Sequence, residues 1–206
     1  MLIDPKQQTH KDVYKLLIGS VVPRPIALVS SLSPGGVPNL APFSFFNAVC
    51  SNPPIVLFST GVRGDGHFKD TLRNIEATKE FVINIVSEDF TVQMNRCSED
   101  FPPDVNEFEV SGLTPAPASM VRPALVKESR IQLECRLVQV VHFGEGKPGS
   151  GSTIFGEVLL FHVADGVINN FRIDPKVLKP VGRMGGPQYC RATDIFDLPR
   201  PGPIQG

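Results

Sequence analysis

Lys69-Asp70-Thr71 opens a run with apolar residues at helical spacing, Leu72 and Ile75, and this is where the chain could hold an anion. A helix start offers free backbone N–H groups and the positive end of the helix dipole. A phosphate placed there needs no further device. Lys69 would add a full positive charge and Thr71 a hydroxyl donor. The same residues also read as a plain capped helix, with Asp70 a favoured N-cap and Lys69 in solvent. A second cluster, Ala41-Pro42-Phe43-Ser44-Phe45-Phe46-Asn47, is aromatic, neutral and rich in hydroxyl and amide groups. It suits a flat ligand with a polar edge: rings supply a surface, and Ser44 or Asn47 bond the rim. The competing reading sends Phe43 and Phe45 into a core from one strand face, with Phe46 packed elsewhere. Ser59 and Thr60 end an apolar run and are expected to face the Lys69 helix start as donors. Arg24, between Pro23 and Pro25, is either a solvated cation or a further phosphate contact.

Other chemistries find no support in the spacing. His10, His67, His142 and His162 are far apart, and no His, Asp or Glu pattern points to a metal. His162 lies on an apolar strand and reads as a satisfied core or interface histidine. Cys50, Cys97, Cys135 and Cys190 form no CxxC pair, so free thiols in a reducing cytoplasm are expected. The glycine-rich stretch near Gly144 lacks the order of a P-loop. No catalytic triad or carboxylate pair stands out, and no catalytic residue is assigned. The net charge of −1 presents no basic face for nucleic acid. The polar start, Met1 to Asp12, reads as no signal peptide, and no apolar run nears the roughly 18 residues of a membrane helix.

The elements that must position these residues are short. With 20 Pro and 18 Gly, the chain reads as turn-rich strands rather than long helices. His10 to Ile18 predicts a leading helix. Ile26–Ser30, Asn39–Asn47, Ile55–Ser59 and Phe81–Ser87 predict strands, the last buried on both faces. Phe90, Met94, Cys97 and Phe101 lie on one helical stripe that Pro102-Pro103 stops. Ile131–Phe143 and Ile154–Ala164 predict a long antiparallel hairpin across Glu145–Ser152. Val167–Ile173 predicts a further strand after the Asp165-Gly166 turn. The pattern argues for a mainly β protein, a barrel with a few covering helices. One domain is expected over residues 1–197, with 198–206 an extended or disordered Pro/Gly tail.

The order of several segments resembles the flavin reductase-like, FMN-binding split-barrel family, which includes flavoredoxin-type proteins. The resemblance runs from about Val21 to Tyr189. It rests on Pro23–Thr60, Phe68–Ile75, Phe81-Val82-Ile83-Asn84, Phe108–Thr114, Leu133-Glu134-Cys135, Gly156-Glu157-Val158 and Val181–Gly186. It implies a split barrel that binds FMN non-covalently. Ser44, Phe45, Phe46 and Asn47 would neighbour the flavin, Ser59 and Thr60 its phosphate or ribityl chain, and Lys69, Asp70 and Thr71 its phosphate. Arg183 to Tyr189 would form a loop approaching the flavin, against the plainer reading of a mobile turn. His67 could face the flavin, and His142 corresponds only loosely to a histidine that some relatives place near the nicotinamide. The resemblance further implies a homodimer and NAD(P)H-dependent reduction of flavin. Alternatives are an electron carrier that never meets NAD(P)H, a flavin-dependent oxidase or oxygenase, and a non-catalytic binding module on the same barrel.

Overall fold

The computed structural model describes residues 1–200. Strands β1 (Ala27–Leu32), β2 (Pro38–Phe43), β3 (Phe46–Ser51), β4 (Pro54–Gly61) and β5 (Glu80–Ile85) come first. The short pair β6 (Pro115–Ala116) and β7 (Leu125–Val126) precedes the long hairpin of β8 (Ile131–Phe143) and β9 (Gly151–Val163). Seven strands make one antiparallel sheet in the order β2-β1-β5-β8-β9-β4-β3. Its edge strands, β2 and β3, are consecutive in the chain, with only Ser44 and Phe45 between them. Laid flat, such a sheet would hold its edges roughly 29 Å apart, at about 4.8 Å per strand. The link reaches about 11 Å at most. The sheet therefore curls into a barrel, and Ser44–Phe45 is its seam. The seam is tied to β4, where the Ser59 N–H donates to the Phe45 carbonyl at 2.8 Å.

This geometry corrects the single strand expected over Asn39–Asn47. The chain must cross from one barrel edge to the other there, so the strand breaks after Phe43 and a new one begins at Phe46. Phe43 turns into the barrel, its ring 5.0 Å from that of Phe58. Phe58 in turn meets Phe81 edge-on at 5.7 Å. A side chain at Gly156 would put its Cβ 2.3 Å from the Phe81 ring, so the glycine of the Gly156-Glu157-Val158 landmark makes room for that ring. As expected, β5 is buried on both faces: Phe81 and Ile83 face the barrel, and Val82 packs under Val121 and Leu125.

Helices cover the rest. Helix α1 (His10–Ser20) is capped by the Thr9 side chain, and α2 (Asp70–Thr78) sends Leu72 and Ile75 into the barrel core. A 3-10 turn at Glu88–Phe90 leads into α3 (Thr91–Arg96). Phe90, Met94 and Cys97 are buried against Leu28 and Leu40, as the stripe demands. The helix ends at Arg96 rather than at Pro102, and residues 98–101 are freed to border the site. Helix α4 (Glu107–Ser111) was not expected; Asn106 caps it by accepting the Phe108 N–H at 3.1 Å.

The expected strand Val167–Ile173 is instead a small hairpin, β10 (Ile168–Asn169) and β11 (Arg172–Ile173). Asn170 and Phe171 both take positive φ at its tip and turn the chain back. Helix α5 (Pro175–Leu178) and the pair β12 (Val181–Arg183) and β13 (Tyr189–Arg191) complete the described chain. Leu198–Arg200 have no regular structure, and the remainder of the expected tail lies outside the described residues. Among the described residues no helix is long and apolar enough to cross a membrane.

A candidate binding groove at the barrel seam

Two adjoining cavities share Pro42 and Ser98 in their walls and form one groove beside the seam. The smaller, about 80 Å³, lies at the start of α2 and is bordered by Asn39, Arg63, Lys69, Asp70 and Thr71. The N-cap is Lys69, not Asp70. Lys69 is extended, and its carbonyl receives the Leu72 N–H at 3.1 Å. No side chain caps the helix, so its first N–H groups stay free for an anion. The Thr71 hydroxyl accepts from Asn39 Nδ2 at 2.9 Å and keeps its own proton to donate. Asp70 does not cap, because its two carboxylate oxygens are taken by Arg63 and Arg73. Lys69 Nζ reaches Asp100 Oδ1 at 2.6 Å. That contact comes first in holding the Asp100 carboxyl below its ordinary range. Glu107 lies behind, accepting the Leu40 N–H, and burial pushes its carboxyl up.

The larger cavity, about 270 Å³, lies under α1 and the loop between β12 and β13. Arg24 is 4 % exposed and acts as a clamp. Its guanidinium donates to the carbonyls of Ile18 at 2.6 Å, Val21 at 3.0 Å and Met184 at 2.9 Å, and to Ser44 Oγ at 3.3 Å. One cation thus ties the end of α1, the late loop and the barrel seam. Burial lowers its proton affinity, and Arg183 adds to this while Tyr14 opposes it. Arg183 pairs backbone to backbone with Arg24 and lays its guanidinium 4.4 Å from the Tyr189 ring. Tyr189 donates to Asn95 Oδ1 at 3.0 Å. Gly182 is required between them, since a Cβ there would lie 2.8 Å from Pro23 Cβ.

The fold gathers Lys69, Asp70 and Thr71 at one end of the groove and Ser44, Arg183 and Tyr189 at the other. Phe45 stands at the seam, 40 % exposed, with the Arg24 guanidinium 5.9 Å from its ring. Phe46 is half-buried against the barrel core. Asn47 points outward and accepts from the Ala48 N–H. Ser59 and Thr60 do not face one way. Alternation on β4 turns Thr60 into the barrel, where its hydroxyl has no hydrogen-bond partner, and turns Ser59 outward to Thr153. Arg24 belongs to the larger cavity, away from the start of α2. His67 is an exposed loop residue beside Asp65, and His142 bonds Ser152. His162 is satisfied by the buried Glu134, which also accepts the N–H groups of Ser119, Met120 and Val121. Sequence reasoning passed over Arg63, Asn95, Ser98 and Asp100. They lie in irregular segments or at a helix end, where no periodicity singles them out.

Comparison with known proteins places this fold. The chain is similar to the structure of nitrilotriacetate monooxygenase component B from Bacillus cereus, at 38 % identity and a TM-score of 0.91, covering 96 % of this chain and 98 % of that one. It is similar to Pseudomonas fluorescens 2-nitrobenzoate 2-nitroreductase at 32 % identity and a TM-score of 0.88, covering 100 % and 99 %. At 23 % identity, a split-barrel protein of Shewanella frigidimarina shares the fold with a TM-score of 0.83, covering 98 % and 100 %. A model described as the flavin reductase like domain matches residues 18–174. The chain belongs to the flavin reductase like domain family, and its barrel is the split barrel of that family.

Proposed function

We propose that this protein binds FMN non-covalently and uses it as an NAD(P)H-dependent oxidoreductase. The observation that carries the reading is the uncapped start of α2, where free N–H groups, the Thr71 hydroxyl and Lys69 border one end of a groove. That set fits a phosphate. Lys69 and Thr71 would hold it, Asn39 would fix the Thr71 hydroxyl, and Arg63 and Arg73 would keep Asp70 neutralised. Ser44 and the exposed Phe45, at the seam, would contact the rest of the cofactor. Bound FMN supplies hydride acceptance and one- or two-electron transfer, and the protein supplies position and electrostatics. Two relatives support an oxidoreductase, since their names are those of a monooxygenase component and a nitroreductase.

A homodimer is part of the proposal. Ile55, Leu57 and Phe155 are part-exposed on the outer face of β4 and β9, and an apolar sheet face of this kind favours a two-fold partner. Four free cysteines favour a reducing cytoplasm. The purified protein should be yellow, with bands at about 370 and 450 nm that bleach on addition of NADH or NADPH. Bleaching only with a reduced protein partner would instead make it an electron carrier. A colourless protein that takes up no FMN at micromolar concentration would overturn the reading in favour of a non-catalytic module.

A further inference from the structure

The larger cavity has an unusual charge pattern. Arg24 and Arg183 sit directly opposite each other across an antiparallel bridge, and both side chains border the cavity. Like charges in that position repel. Among the described residues, no carboxylate lines the cavity and none forms an ion pair with either arginine. Arg24 spends its donors on carbonyls and a hydroxyl, which leaves its charge uncompensated. Arg183 gives one bond to the Gly186 carbonyl and has N–H donors left over. The remaining wall is mixed: Ser44, Asn95 and Ser98 are polar, while Ile18, Ile26 and Met94 are apolar and Tyr14 and Tyr189 add two phenol rings.

We propose that this cavity binds a small organic anion, a single-ring aromatic carboxylate. A carboxylate matches the planar fork of a guanidinium and would relieve the repulsion between the two arginines. The two phenol rings, with Ile18, Ile26 and Met94, favour a ring-bearing anion over inorganic phosphate, and Ser44, Asn95 and Ser98 can bond its polar edge. Drug-sized ligands occupy pockets of about 300–1,000 Å³. At about 270 Å³, this cavity suits one ring better than a dinucleotide. The proposal rests on the flavin reading in its placement, since Ser44 borders both this cavity and the proposed flavin site and the anion would lie beside the cofactor; the preference for a carboxylate rests on the two arginines alone.

The chain carries its own reporter. It has no Trp and two Tyr, and both tyrosines line this cavity. Tyrosine emission of the purified full-length protein, titrated with benzoate, should change saturably, and calorimetry should give the same affinity. Benzamide, the neutral isostere, should bind at least about tenfold more weakly, the loss expected for a charge-assisted bond. Inorganic phosphate should not compete at equal concentration. Arg183→Gln should lower benzoate affinity about tenfold and leave benzamide unchanged, while Arg183→Lys should recover part of the loss. Equal binding of benzoate and benzamide to the wild-type protein would overturn the proposal without any variant. Competition by phosphate as strong as that by benzoate would overturn the aromatic class. A colourless protein that still prefers benzoate would remove the flavin and keep this site. A yellow protein indifferent to the carboxylate would do the reverse.

Discussion

The two ends of the groove solve the same electrostatic problem in opposite ways. At the start of α2, Arg63, Lys69 and Arg73 all lie against carboxylates, Asp70 and Asp100. Under α1, Arg24 and Arg183 have no carboxylate partner among the described residues and are held by carbonyls, a hydroxyl and an aromatic ring. The first end is neutralised and adjustable, because Asp100 is two-thirds exposed and can let Lys69 go. The second is fixed, because Arg24 is buried and spans three segments of chain. An anion at the first end competes with a resident carboxylate. At the second it competes with nothing charged.

The largest expected effect falls on the fixed end. Arg24→Ala would leave the carbonyls of Ile18, Val21 and Met184 without their donor. An unpaired buried polar group costs about 1–3 kcal/mol, so a stability loss of about 3 kcal/mol or more is expected. The urea midpoint reads it. Arg63→Ala should cost less, about 1–2 kcal/mol, since the buried Asp70 loses one partner and keeps Arg73 as the other. Similar losses in both variants would erase the distinction between clamp and adjustable pair.

A smaller effect of opposite sign is expected at Asp100. Asp100→Asn removes the competitor of Lys69, and an exposed pair is worth at most about 1 kcal/mol. FMN affinity should rise up to about fivefold. A fall would mean that Asp100 orients Lys69 rather than competing for it.

The smallest effect is a pH slope. Burial raises the Glu107 carboxyl, so the folded chain holds that proton more tightly than the unfolded chain. The stability it contributes is full below the ordinary value of 4.5 and is lost as pH rises through the higher folded value. Glu107→Gln keeps an acceptor for the Leu40 N–H and removes the slope. Relative to wild type, the variant should gain stability between pH 4.5 and 7. A gap that stays constant, or that grows toward acid, would contradict the assignment.

Much of the barrel was legible because strand alternation and the long β8–β9 hairpin are local signals. Phe81–Ser87 reads as doubly buried for most of its length from its alternation alone. The seam was not legible. Nothing in Ser44-Phe45 marks a crossing between barrel edges; that follows from the pairing order of strands far apart in sequence. The helix start at Lys69–Thr71 was found, but the cap was placed one residue late, because Asp70 is drawn off by Arg63, a partner no spacing rule connects to it. Arg24 and Arg183 were noted separately, 159 positions apart by their numbers, and only the bridge between them makes a site. Glu134 shows the same limit: a charge within an apolar strand became a tether for three backbone N–H groups of a distant loop.

The central claim is that the adjustable end holds a phosphate. FMN and riboflavin share ring and ribityl chain and differ in that group. Titrating wild type and Lys69→Ala with both flavins tests the claim most directly. A charge-assisted bond of about 1.5–3 kcal/mol predicts that FMN affinity falls roughly 10- to 150-fold while riboflavin affinity holds. Equal loss of both flavins would contradict the account and move the phosphate away from the start of α2.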